Sequence, residues 1–430
     1  MQINNLKINK FKQLVSSPFI RNVGWLGGAE LFNRVFRLAT TVTLARTFSP
    51  EDYGLVAVIY TVIDFANVFT LRGGIGAKII QAHEQDVKTI CDTAYWLNWI
   101  LCSSLFIIQC TAAFFIKTWS GNSKLCLPLC VVAFMYLMMP VYSIHSALIE
   151  RENRLKITAI CNATQSLFSN IITVTLAILG MGVWSIVWAI VLTTPIWIII
   201  NWRNHSWRPP KYFHLKRWQE VVNFGRNMLA LELLNKLRMN LDYLAIVNFL
   251  GIEALGIYYF AFNAGLGISM NIINTFMSAL FPYICAVRTN YTEFKQRYFS
   301  SLQKIALVVV PLILAQSLLA PLYVPIIFGQ KWIPAIPILI TICLSVLPRT
   351  FAWTASLLLN AIDKTHIRLY VDIAFTLVFA VAIVIAVKWG IFWVAAAVLV
   401  SHLLVLPPFI VWTHRYTFNK RLHFENNSIY

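Results

Sequence analysis

The strongest constraint on this chain is a succession of long apolar segments with short polar breaks, running from residue 21 to residue 413. An α-helix needs about 20 apolar residues to cross a hydrocarbon core about 30 Å thick. Inside that core only helices and closed β-barrels satisfy every backbone N–H and C=O internally. A barrel would show segments of about ten residues with alternating polarity, and the sequence has none. Charged residues make up 12% of the 430 and apolar residues 59%, against about 25% charged in soluble domains. The sequence therefore predicts an all-α polytopic membrane protein and excludes a soluble multidomain chain.

Hydropathy predicts about twelve transmembrane helices, over 21–46, 53–81, 92–116, 125–148, 157–179, 183–202, 219–249, 254–285, 302–327, 335–360, 367–387 and 391–413. Residues 1–20 read as a cytoplasmic basic amphipathic N-terminus carrying Lys7, Lys10 and Lys12. Residues 21–202 form a first six-helix half and 219–413 a second. Residues 203–218, with Pro209 and Pro210, are a cytoplasmic linker, and 414–430 a cytoplasmic tail. With both termini in the cytoplasm, segments on that side hold 23 Lys and Arg. The far side holds five: Arg46, Lys117, Lys124, Lys331 and Lys388. This asymmetry obeys the positive-inside rule. It also accounts for the net charge of +18 without a nucleic-acid partner. The far-side loops are all short, which leaves no room for an extracytoplasmic active site. The eight cysteines are scattered, with no C-x-x-C pair, so no metal site is predicted, and nothing calls for a cofactor.

Within the first span lies E-L-F-N-R-V-F-R, Glu30 to Arg37, charged where a spanning helix should be apolar. The pattern returns 202 positions later as E-L-L-N-K-L-R-M, Glu232 to Met239, and the register continues through Glu51/Glu253 and Gly54/Gly256. Six spans separate the copies, so the two halves enter the membrane the same way up, as a parallel repeat around a central cavity. At about 100° per residue, Glu30, Asn33, Arg34, Arg37, Thr40 and Thr41 fall in an arc of roughly 120°. Glu232, Asn235, Lys236, Arg238 and Asp242 fall in roughly 160°. Glu30/Arg34, Glu232/Lys236 and Arg238/Asp242 have i,i+4 spacing suited to ion pairing.

Facing lipid, each such charge would cost about 2.5–3.5 kcal/mol, so these stripes are expected to line a water-filled interior. The competing reading is a set of buried ion pairs that hold the halves shut. Against it, the basic residues within spans are Arg34, Arg37, Arg72, Arg226, Lys236, Arg238 and Arg349, and the acidic ones Glu30, Asp64, Glu232, Asp242 and Asp372. That surplus of fixed positive charge suits an anionic cargo. Arg34, Arg37, Lys236 and Arg238 are the first candidates to bind it, with Arg349 beside Pro348 and Arg72 as further ones. Arg72 and Arg226, near cytoplasmic ends, have snorkelling as an alternative. Glu30, Glu232, Asp242, Asp64 and Asp372 are candidates for charge balance or ion coupling. Asp64 and Asp372 have no sequence-local partner and are free to act as proton or cation sites, or to pair across helices. Gly73, Gly74, Gly76, Gly265 and Gly267 are expected to allow close helix packing rather than hinging. No catalytic residue is predicted: His145, His366 and His402 occur singly, and no nucleophile or metalloenzyme motif is present.

The stretch L-A-R-T-F-S-P-E-D-Y-G-L-V-A-V-I-Y, Leu44 to Tyr60, followed by G-I-G-A-K-I-I-Q ending at Gln81, resembles the polysaccharide transporter family. These are the Wzx-type flippases of the multidrug/oligosaccharidyl-lipid/polysaccharide exporter superfamily. The resemblance implies a multi-pass protein of the bacterial inner membrane. It would move an undecaprenyl-diphosphate-linked oligosaccharide to the outer leaflet by alternating access, for O-antigen, capsule or exopolysaccharide synthesis. It also implies a polysaccharide polymerase and a chain-length regulator as candidate partners. Family members often carry an acidic residue before the glycine pair, where this chain has T-L-R-G-G, which leaves the role of Arg72 open. Two other functions compete. A multidrug or cation antiporter of the same fold would favour acidic and aromatic residues over a basic surplus. A membrane glycan polymerase or acyltransferase would need a large outer loop or clustered His and carboxylates.

Overall fold

The computed structural model describes residues 36–70, 72–120, 124–213, 215–267 and 269–418. The regular elements among them are all helical. Helix α1 takes residues 36–47. It is followed by α2 (Pro50–Phe69), α3 (Arg72–Gln81), α4 (Val87–Ser120), α5 (Cys126–Arg151), α6 (Leu155–Ile178) and α7 (Trp184–Asn204). Then come α8 (Trp218–Phe249), α9 (Ile252–Leu266), α10 (Ser269–Cys285), α11 (Tyr291–Tyr323), α12 (Ile336–Ala361), α13 (Thr365–Ala386) and α14 (Ile391–Phe418). Eight of the described helices are long and apolar enough to cross a membrane, or nine if α9 and α10 form one bent span. Helix α6 falls outside that count because Asn162, Gln165, Ser166 and Asn170 interrupt it, and α8 because of its charges. Large apolar side chains point outward along these helices, Leu318 with 76% of its surface exposed. Such exposure is unfavourable in water and suits hydrocarbon.

Two predicted spans are each broken in two. The expected helix over 53–81 ends at Phe69 and restarts at Arg72. Thr70 Oγ1 donates to Asn67 O at 2.7 Å, a local bond that competes with the helical ladder, just before a glycine pair with poor helix propensity. The span expected over 254–285 bends by 56° between α9 and α10. Gly267 sits at that bend. Gly265 behaves as the packing glycine the sequence suggested: a Cβ there would lie 2.9 Å from Cys343 Sγ and 3.0 Å from Leu339 Cγ.

By their contacts the described residues divide into two compact units. One contains residues 36–48 and Val58–Leu237, the other Ser49–Ala57 and residues 238–418. In the first, α5 packs on α4 and α7, and α6 on α7, around Cys102, Tyr136, Tyr142 and Trp197. In the second, α12 packs on α9, α11 and α14. There Trp332, fully buried, stacks on Phe260 at 3.9 Å and meets Tyr53 edge-on at 4.9 Å.

The internal repeat reappears in backbone detail. Gly54 is the fifth residue of α2 and Gly256 the fifth of α9. A Cβ on Gly54 would lie 1.9 Å from Ile252 O, and one on Gly256 1.8 Å from Pro50 O. Ile252 follows Pro50 by the same 202 positions that separate the glycines, so the contact is reciprocal, as at a two-fold axis. Farther on, the turns after α5 and α12 match bond for bond. Asn153 and Asp363 both have positive φ, 55° and 59°. Arg154 N–H donates to Ile149 O at 3.1 Å, and Lys364 N–H to Leu359 O at 2.9 Å. Gly180 and Gly390, φ 79° and 109°, close the next pair of turns by donating to Ala177 O and Val387 O. Here the spacing is 210, read from Asn153 to Asp363. Most of the extra chain is a π turn, Val324–Phe328, and a 3-10 segment, Gln330–Ala335, where the first copy has only the short link from Ser120 to Cys126.

Candidate functional site

A charge inside a membrane-crossing helix needs a partner or water, so the charged residues of α8 and their neighbours define the site. In the first unit, Lys236 Nζ lies 3.1 Å from Asp64 Oδ2 on α2, both side chains partly exposed. In the second, the Arg238 guanidinium donates to Asp372 Oδ1 on α13 at 2.7 Å. Arg368, one turn before Asp372, approaches its other oxygen at 3.5 Å, so one carboxylate holds two guanidinium groups. One turn on from Arg238, the buried Asp242 accepts from Tyr258 OH on α9 at 2.7 Å and from Tyr243 N–H at 3.0 Å.

Arg349 on α12 completes the second cluster. It is half-buried, and the charges of Arg238 and Asp242 both act on it. Among the described residues it has neither an ion pair nor a hydrogen bond. Among the described residues the cluster counts three guanidinium groups, Arg238, Arg349 and Arg368, against two carboxyls, Asp242 and Asp372. A guanidinium with open donors beside a net positive charge is suited to bidentate capture of a carboxylate or phosphate. Beside it, His402 on α14 lies parallel to Phe375 and Phe379, with ring centres 5.5 and 6.2 Å away.

Several sequence expectations meet the structure here. Asp64 and Asp372, which had no local partner, pair across helices with Lys236 and Arg238. The sequence offered Arg238 an i,i+4 partner in Asp242, and the structure pairs it with Asp372, because α13 presents a carboxylate from the side. Glu232 and Arg37 are exposed. Thr40 Oγ1 donates to Asn170 Oδ1 at 2.8 Å, tying α1 to α6. Glu30, Arg34 and the side chains of Arg72 and Arg226 lie outside the described residues. Sequence reasoning missed Arg368, which it counted as a loop charge, although its i,i+4 spacing to Asp372 was a usable signal. It also missed Tyr258, which no local pattern connects to Asp242. No group of three His, Cys, Asp or Glu among the described residues is placed to hold a metal ion.

Comparison with known proteins adds four findings. A family model described as polysaccharide biosynthesis protein matches residues 43–337. Teichuronic acid biosynthesis protein TuaB of Bacillus subtilis is 23% identical over 352 residues, 79% of this chain and 71% of that protein. Lipopolysaccharide biosynthesis protein WzxC of Escherichia coli is 24% identical over 362 residues, 81% of this chain and 71% of that protein. Among solved structures, the lipid II flippase MurJ in an inward closed conformation superposes with a TM-score of 0.74 at 14% identity. That match covers 94% of this chain and 90% of that one, and at such identity it shows the fold.

Proposed function

The chain belongs to the polysaccharide biosynthesis protein family, and from that premise we propose that it is a flippase for a lipid-linked oligosaccharide. Its cargo is an undecaprenyl-diphosphate-linked repeat unit, moved from the cytoplasmic to the outer leaflet of the bacterial inner membrane by alternating access, with both of the protein's termini in the cytoplasm. A polysaccharide polymerase and a chain-length regulator then act on the delivered unit.

Family membership supports the cargo class, and Arg349 carries the site. The diphosphate meets a guanidinium whose donors are open, with Arg238 in the same cluster, and Arg34, Arg37, Lys236 and Arg72 are the further residues proposed to bind the anionic cargo. Asp64, Asp242, Asp372, Glu30 and Glu232 neutralise part of that charge, so the anion is held loosely enough to leave. The lipid tail stays in the hydrocarbon. A cation antiporter would draw on unpaired carboxylates, whereas Asp64 and Asp372 are each committed to a basic partner.

The test is complementation of a strain lacking this gene. Loss of the protein should leave repeat units accumulating on the cytoplasmic leaflet. Wild type should restore surface polysaccharide, and Arg349→Gln should not, at equal protein abundance. Normal polysaccharide export by both Arg349→Glu and Lys236→Glu variants would sink the reading.

A further inference from the structure

The segment joining α7 to α8, residues 203–218, reads R-N-H-S-W-R-P-P-K-Y-F-H-L-K-R-W. It has five Lys and Arg and no Asp or Glu. The sequence treated it as a linker, but the structure ties its backbone inward at regular intervals. Asn204 O accepts from Arg154 at 2.9 Å, and Trp207 O from His145 Nε2 at 3.0 Å. Tyr212 O accepts from Trp96 Nε1 at 3.0 Å, and Lys216 O from Thr93 Oγ1 at 2.6 Å. Trp207 packs edge-on against Tyr95, and Phe213 against Trp96. The segment is a strap laid along α4 and α5.

The anchors fix its depth. Thr93 and Trp96 lie six and nine residues inside the start of α4, and His145 six residues before the end of α5. At about 1.5 Å per residue that is about 9 to 13 Å in from the helix termini. The 34 residues of α4 span about 51 Å, some 20 Å more than a hydrocarbon core of about 30 Å. With that excess shared between the two ends, about 10 Å each, the anchors stand at the boundary between headgroups and hydrocarbon, rather than above the membrane in water.

At Tyr212 and Lys216 the carbonyl turns inward and the side chain is exposed. Tyr212 is 75% exposed and Phe213 58%, with Trp218 close behind. Two of the five cations are already engaged. Arg217 pairs with Asp86 at 2.7 Å and Glu220 at 2.6 Å. Arg208 donates to the His205 and Trp207 carbonyls and lies over the Trp202 ring. Arg203, Lys211 and Lys216 are exposed and have no ion pair among the described residues.

We infer that this strap is a binding site for anionic lipid headgroups: Arg203, Lys211 and Lys216 meet the lipid phosphates while Tyr212, Phe213 and Trp218 sit in the interface. Aromatic rings with one polar edge favour that depth. Each Lys or Arg near an anionic leaflet strengthens attachment about five-fold. Fixing the strap's backbone beforehand removes part of the ordering cost of binding.

The test uses the full chain in lipid nanodiscs. Tyr212→Cys carries a spin label, with Cys110, Cys126, Cys130 and Cys285 changed to Ser. Label depth is read from its collision with oxygen and with a water-soluble nickel chelate. In phosphatidylcholine mixed with phosphatidylglycerol the label should be several-fold better shielded from the chelate than in phosphatidylcholine alone. That difference should fall with salt, persist in Lys211→Arg/Lys216→Arg, and vanish in Arg203→Gln/Lys211→Gln/Lys216→Gln. Equal exposure in both lipids, or a difference that survives the triple neutralisation, overturns the proposal. So does shielding that appears only when a cytosolic extract is added, which would assign the strap to a protein partner.

Discussion

The reciprocal contact of Gly54 and Gly256 makes a quantitative prediction about alanine at either position. Each added Cβ falls 1.8–1.9 Å from a backbone carbonyl oxygen, where ordinary contact begins near 3.4 Å. The two helix starts must then separate by about 1.5 Å. Neither obstacle is the tip of a flexible side chain, so relief requires backbone movement, and forced overpacking costs about 1–3 kcal/mol, occasionally more. Against that, glycine to alanine in a helix gains about 0.8–1.0 kcal/mol. Gly76 in α3 isolates the gain, since its nearest neighbour to a new Cβ is Ala147 Cβ at 3.9 Å. Gly76→Ala should therefore be neutral or stabilising, and Gly54→Ala and Gly256→Ala each less stable than Gly76→Ala by about 1–3 kcal/mol, or about 0–2 kcal/mol net relative to wild type. The double variant should lose much less than the two single losses combined, because one separation relieves both clashes and neighbouring substitutions do not add. The measurement is the temperature at which half the purified protein leaves the monodisperse peak after heating, compared as a rate-dependent midpoint. Alanine variants at 54 and 256 as robust as the one at 76, or a fully additive double variant, would refute the reciprocal close approach.

Two further outcomes follow from local geometry. Asn153 and Asp363 hold left-handed backbone at equivalent turns, a conformation that costs an ordinary L-residue about 1–2 kcal/mol; alanine at either should melt below glycine by about 1 kcal/mol, and equal midpoints would remove the strain argument. In the loop after α5, the Arg154 hydrogen bond to Glu152, reinforced by the charge of His205, holds that carboxyl below the ordinary glutamate range. A depressed value means the stabilisation is present above about pH 4.3 and is lost as pH falls through the lower folded value. With both side chains 45% exposed it amounts to a few tenths of a kcal/mol, as at about the usual surface pair. Glu152→Gln should abolish that small acid-side loss, and an unchanged pH profile of melting would count against it.

Much of the fold was legible because hydrocarbon imposes a local requirement. A span must be continuous, apolar and about 20 residues long, so 183–202, 219–249 and 391–413 lie within a few residues of α7, α8 and α14. The breaks in the second span of each copy were hidden. One has a threonine side chain capturing a carbonyl and the other has Gly267 at the bend, and neither alters hydropathy. The charged stripe on α8 was legible as a stripe, but its partners were not. Lys236 takes Asp64 and Arg238 takes Asp372 across helices more than 100 residues apart in sequence, and i,i+4 spacing can nominate only partners on the same helix. The anchoring of the linker was hidden for the same reason: the carbonyls that hold it carry no sequence signature, and their donors Thr93, Trp96 and His145 sit in distant helices.

The repeat separates what the fold requires from what function has added. Backbone features recur in both copies: the paired glycines, the left-handed turns and the terminal glycines after α6 and α13. The charges of the second cluster do not. At the spacing of 202, Asp242 corresponds to Thr40; at 210, Arg349, Arg368 and Asp372 correspond to Met139, Thr158 and Asn162. Where α8 meets a carboxylate holding two guanidinium groups, α1 meets a neutral bond between Thr40 and Asn170. A purely structural role for those charges would be hard to reconcile with a twin built from neutral residues, since buried ionic groups rarely outperform well-packed neutral ones. The asymmetry therefore supports the proposal that the cargo phosphate meets Arg349, the member of that cluster with open donors.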